Sequence, residues 1–134
     1  MTLVVDASLV VAALVDGGTA GRWAEGVLQS DQLASPHLMP VEAANILRRS
    51  VLSGDVSADT ASLAHTDLQA LRLDLFPYAP VASRAWALRE NLTLYDAWYV
   101  ALAELLDSNL ATLDERIARA PGPGCGFVLP PTAS

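Results

Sequence analysis

Four carboxylates stand where chemistry is possible: Asp6, Glu42, Asp96 and Asp114. The segments VVDAS, LYDAWYVALAE and NLATLDE surround three of them with apolar residues, so partial burial is expected. Carboxylates that converge in a poorly solvated cleft repel one another and raise each other's pKa. A bound divalent cation removes that repulsion. Ligation by oxygen alone, with no histidine or cysteine companion, selects a hard ion, Mg²⁺ or Mn²⁺, over zinc. Such an ion activates water and holds a phosphodiester for in-line displacement. Taken singly, each acid also has a structural explanation. The helix macrodipole favours an acid at an N-terminus by about 0.3–1 kcal/mol. Thr93-x-x-Asp96 resembles a capping box, and Thr112-x-x-Glu115 is a proper one that leaves Asp114 exposed. Asp6 is also placed simply to turn the chain.

Other residues gather around these acids. On a helix, Glu42, Asn45 and Arg49 share one face, at offsets of three and seven. Asn45 is placed to orient a metal-bound water or Glu42 itself, or else is a solvent-facing amide. Arg49 is placed to contact phosphate with its planar fork, or to pair with Asp55. Arg116, two residues after Asp114, either reaches substrate or partner carboxylates or is a plain surface arginine. His37 and His65 lack a second ligand nearby. Trp86, Trp98 and Tyr99 read as core or dimer contacts. Nothing beside Cys125 lowers its pKa.

The elements that must position the acids follow from periodicity. Apolar runs of strand length occur at Thr2–Asp6, Leu33–Ser35, Leu73–Phe76, Asn109–Thr112 and Phe127–Leu129. Helical patterns fill the gaps: Ala7–Leu14, Ala20–Gln29, Pro40–Ser53, Ala58–Arg72, Val81–Glu90, Thr93 to about Ser108, and Thr112–Ala120. Strands alternating with helices predict an α/β domain with a central, mostly parallel sheet of about five strands and helices on both faces. Ligands of such sheets bind at the carboxyl ends of the strands. Asp6 closes the first strand, and Glu42 and Asp114 follow the second and fourth, so three acids are expected at that edge.

The 134 residues suit one domain, with 122–134 as a loop and tail. A hydrophobic fraction of 52% supports a real core, and 17% charge argues against disorder. Asp6 interrupts the apolar N-terminus and no cation precedes it, so neither a signal peptide nor a membrane span is expected. One cysteine excludes an internal disulfide framework and fits a reducing, cytoplasmic setting. The net charge of −7 argues against binding nucleic acid by bulk electrostatics. All eight cations are arginine, which removes the P-loop and Schiff-base chemistry.

The segments VVDAS, PVEAANILRR, LTLYDAWYVALAE and LATLDERIARA, in this order and at ordinary spacing, resemble PIN domains, and most nearly the VapC-type toxins of bacterial toxin–antitoxin pairs. The resemblance implies a PIN-like fold and a metal site formed by Asp6, Glu42, Asp96 and Asp114. Ser8, Asn45 and Thr112 match the family's small polar positions around those acids. It further implies cleavage of RNA with Mg²⁺ or Mn²⁺ and silencing by a partner antitoxin. Apolar helix faces at Ala61/Leu68 or Val100/Leu106 offer surface for a homodimer or an antitoxin helix. Three other readings compete. A non-catalytic PIN-like module would have lost the acids, yet all four are present. An aspartyl-phosphate domain using Asp6 as nucleophile needs a lysine and a second acid beside the first strand. A flap-type DNA nuclease needs helical inserts for which this length leaves no space.

Overall fold

The structure, a computed structural model, describes residues 2–30 and 32–131. The elements run β1 (Thr2–Val5), α1 (Ala7–Val15), α2 (Thr19–Ser30), β2 (Gln32–Pro36), α3 (Met39–Leu52), α4 (Ala58–Ala70) and β3 (Asp74–Phe76). A 3₁₀ turn (Ala79–Val81) then leads to α5 (Ala82–Ala87), α6 (Leu94–Leu105), β4 (Asn109–Ala111), α7 (Glu115–Arg119) and β5 (Phe127–Val128). The strands form one sheet in the order β3-β2-β1-β4-β5, and every pairing is parallel. The fold is thus the α/β class expected, with a sheet that is parallel throughout.

Parallel neighbours need crossovers, and crossovers are right-handed almost without exception. The first two step outward from β1 to β3, so their helices share a face, where α1 packs on α2, α3 and α4. The chain then returns across the sheet to β4. This crossover lies on the opposite face, where α6 touches β1, β2 and β4. Strand β1 is therefore covered on both sides, and Val4 and Val5 are fully buried. Leu9, Val10, Val100, Leu102 and Leu110 complete the same core. Burial of each such side chain is worth about 1.5–3 kcal/mol. At the α1–α2 corner, a Cβ on Gly21 would lie 1.7 Å from the Asp16 carbonyl oxygen, so only glycine fits there.

Several expected boundaries shift for local reasons. The helix expected at Val81–Glu90 is shorter, because the chain enters it through a 3₁₀ turn and leaves through turns after Ala87. Helix α6 stops at Leu105 instead of Ser108. Asp107 adopts φ +50, and Ser108 N–H donates to the Ala103 carbonyl, closing the helix as a left-handed C-terminal cap does. Helix α4 ends at Ala70, two residues before Arg72. Thr112 does not cap the last helix; Asp114 does, accepting from Arg116 N–H at 2.9 Å. Two residues assigned to outward apolar faces lie in the core: Leu68 on α4 and Val100 on α6. Both helices turn these stripes to the protein, and the exposed large apolar side chains include Val41, Leu52, Leu63 and Leu105 instead. Of the expected tail, residues 132–134 lie outside the described residues. Among the described residues no helix is long and apolar enough to cross a membrane.

Candidate active site

Successive crossovers leave β1 and β4 in opposite directions, so the sheet's topological switch point lies between these two strands. Ligand crevices in open parallel sheets form at such a point, outside the carboxyl ends of the strands. Asp6 is the first residue beyond β1, and Thr112 the first beyond β4. The Thr112 hydroxyl donates to Asp6 Oδ2, joining residues 106 positions apart in sequence. Asp6 Oδ1 accepts from Ser8 Oγ at 2.8 Å and from the Leu9 N–H at 3.0 Å, so Asp6 also caps α1. Thr112 is fully buried and Asp6 only 6% exposed. Loss of solvent pushes the Asp6 carboxyl above its usual range despite these bonds, and Asp96 pushes it further.

The other acids come from three different helices. Glu42 lies in the first turn of α3 and accepts from the Tyr99 hydroxyl at 2.7 Å. Burial raises its pKa, and the charges of Asp96 and Asp6 add to the rise. Asp96 lies in the first turn of α6, where its N–H donates to Thr93 Oγ1 at 3.2 Å. Burial raises this carboxyl too, with Asp114 contributing. Asp114 behaves oppositely. The Arg116 guanidinium grips both its oxygens, at 3.1 and 3.0 Å, and holds its pKa down. The like charges act pairwise, Asp96 on Asp6, Asp6 and Asp96 on Glu42, and Asp114 on Asp96, and each acid stands at the start of a helix, whose N-terminus offsets part of the repulsion.

A cavity of about 310 Å³ opens between α6 and α7, lined by Asn91, Thr93, Asp96, Asp114 and Arg116 among others. A larger groove, about 430 Å³, runs between α3 and α4, but its walls include Leu47, Val51 and Ala61 and no carboxylate. The acids, not this larger groove, mark the candidate site.

The fit of a metal ion rests on this chemistry. All the acidic donors are oxygen, Asp6 Oδ2 carries a single hydrogen bond among the described residues, and three of the four carboxyls are raised by burial and like charge. A hard divalent cation suits such a set. Among the described residues no three His, Cys, Asp or Glu side chains form a ready-made metal cluster. Glu42 and Asp114 are engaged by Tyr99 and Arg116 in this arrangement.

The remaining candidates are distributed unevenly. Ser8 and Thr112 bond directly to Asp6. Asn45 and Arg49 are exposed on α3, and among the described residues the side chain of neither makes a hydrogen bond or ion pair. Asp55 accepts from Ser53 Oγ at 2.9 Å instead of pairing with Arg49. Arg116 has its side chain 89% exposed. His37 and His65 are exposed. Burial raises the Cys125 thiol to about 11. Trp86 is exposed with Arg89 stacked 4.6 Å from its ring centre, and Trp98 packs edge-on against Tyr78. Tyr99 was read from sequence as a packing residue only. Its signal was available: it follows Asp96 by three positions, and a buried phenol needs a partner.

The model of the PIN domain matches residues 3–123. Ribonuclease VapC1 of Mycobacterium tuberculosis is 42% identical over 127 residues, covering 94% of this chain and 96% of the relative. The chain therefore belongs to the PIN-domain family, among its VapC ribonucleases. Two solved structures share the fold. VapBC2 from Rickettsia felis, bound to a fragment of its promoter DNA, aligns with a TM-score of 0.68 at 13% identity, over 96% of this chain and 98% of that one. The M. tuberculosis toxin VapC20, described as cleaving the sarcin–ricin loop, aligns with a TM-score of 0.67 at 16% identity, over 87% and 92%.

Proposed function

We propose that this protein is a Mg²⁺- or Mn²⁺-dependent endoribonuclease and the toxin of a toxin–antitoxin pair. The observation that carries the reading is the buried Asp6, bonded to Thr112 across the switch point, with Asp96 close enough to raise its carboxyl and both close enough to raise that of Glu42. Family membership supplies the reaction class.

In this reading Asp6, Asp96 and Asp114 hold the ion, and Glu42 ligates it directly or through water. The ion, when bound, supplies charge stabilisation for the phosphodiester and lowers the pKa of a water nucleophile. The protein's own groups do the rest. Ser8, the Leu9 N–H and Thr112 fix the Asp6 carboxylate before anything binds, so little reorganisation accompanies the reaction. Arg116 directs Asp114 and retains guanidinium N–H groups for a phosphate oxygen. Asn45 and Arg49, three and seven residues beyond Glu42, lie exposed on α3 to meet the RNA strand. On a chain of net charge −7 such local arginines must supply the attraction. We further take residues 1–134 as a single cytoplasmic domain that forms a homodimer and binds an antitoxin.

Purified protein with Mg²⁺ or Mn²⁺ is expected to cut single-stranded or structured RNA, and EDTA is expected to stop it. Asp6→Asn and Asp96→Asn should each lose at least about a hundredfold, since each removes charge needed in the transition state. Unchanged cleavage by both variants would sink the site.

A further inference from the structure

Tyr99 links the helices that carry two of the acids. It lies on α6, three residues after Asp96, and is only 3% exposed. Its hydroxyl donates to Glu42 Oε1 of α3 at 2.7 Å. A phenylalanine would fill the same volume. The hydroxyl adds a bond, and it goes to the carboxylate of Glu42.

We propose that Tyr99 is a positioning residue of the acidic site: its phenol fixes one oxygen of Glu42 and leaves the other as the oxygen that ligates. The proposal rests on the metal-site reading above. A free glutamate samples many rotamers, and ordering it is a cost that falls on ligand binding. Here the phenol has already ordered it. Groups that orient metal ligands from behind typically contribute about 10–100-fold to metal affinity or activity.

The test is Mn²⁺ binding, by electron paramagnetic resonance with no RNA present, in wild type, Tyr99→Phe, Glu42→Ala and the double variant. Tyr99→Phe should weaken Mn²⁺ binding by about tenfold. It should lower kcat on RNA and leave KM nearly unchanged. In the Glu42→Ala background the same change should do almost nothing, because the phenol then has no carboxylate to hold. Equal Mn²⁺ affinity in wild type and Tyr99→Phe overturns the proposal. So does an equal loss with and without Glu42, which would make Tyr99 a support of the fold alone. A wild type that takes up no Mn²⁺ overturns the metal-site reading and this proposal with it. A measurement without variants guards against Tyr99→Phe failing to fold. In wild-type protein carrying carbon-13 at the tyrosine Cζ, Mg²⁺ should move the resonance shielded from a soluble relaxation agent. If that buried resonance does not move, the proposal fails.

Discussion

Asp6 and Asp96 differ in how they are held, and the difference makes the site testable. Asp6 is bound on both oxygens by protein donors, so replacing it disturbs a cap and a strand-to-strand link as well as a charge. Asp96 uses its backbone N–H in its cap, where Thr93 Oγ1 accepts from it. Asparagine there should keep the helix start and remove only the charge that Asp114 opposes. Asp96→Asn should therefore leave the metal-free protein as stable as wild type or more so. With a dissociation constant on the order of 1 mM, about 10 mM Mg²⁺ stabilises wild type by roughly 1.4 kcal/mol. That raises Tm by about 2–8 °C, and the variant should lose most of the rise. Thermal melts in Mg²⁺ and in NaCl of equal ionic strength measure it; identical wild-type values in both salts contradict metal binding. The acids themselves were legible in the sequence because apolar flanks make a carboxylate conspicuous. Thr112 was placed beside them by the family resemblance alone, and the pairing of β4 with β1 turns it toward Asp6. Tyr99 reads as packing until α3 and α6 are brought together.

Among the elements, α6 does two jobs with its two ends. Its first turn presents Asp96 to the site. Near its last turn, Glu104 binds Arg84 of α5 at 2.6 Å and the Gly124 N–H at 2.6 Å, while Arg84 donates to the Gly122 carbonyl at 2.9 Å. This clasp holds the loop that leads into β5. Hydrogen bonding from Arg84 and from Gly124 lowers the Glu104 pKa below 4.5. A depressed carboxylate contributes stability above its unfolded value and loses it as pH falls through the folded one. Below about pH 4.5 the clasp should therefore weaken, with the Gly124 amide losing hydrogen-exchange protection before the sheet amides do. Glu104→Gln should show that loss already at neutral pH, for about 1 kcal/mol, modest because Arg84 is 43% exposed. Protection of Gly124 that is unchanged in the variant would remove the clasp from the account. Strand and helix order could be read from apolar periodicity, since both faces of the sheet are covered. Helix ends could not, because they depend on backbone choices such as the left-handed Asp107 that periodicity does not record.

At the scale of the molecule, an acidic cleft on a chain of net charge −7 is matched by a basic peptide better than by a neutral one. The groove between α3 and α4, with Val41, Leu52 and Leu63 exposed on those helices, adds apolar surface. Expression with its genomic neighbour should co-purify a small partner with a basic tail, and expression alone should slow growth. A monomer that is harmless when overproduced would count heavily against the toxin reading. The bond from Thr112 to Asp6 also sets a clock. Ribosomes add about 5–20 residues per second, so the 106 positions between these residues correspond to roughly 5–20 s of synthesis. Throughout that interval Asp6 exists without the strand that completes its setting. A fragment that ends before Thr112 carries the first acid without its partner strand, and the site proposed for this enzyme comes together only as the sheet closes.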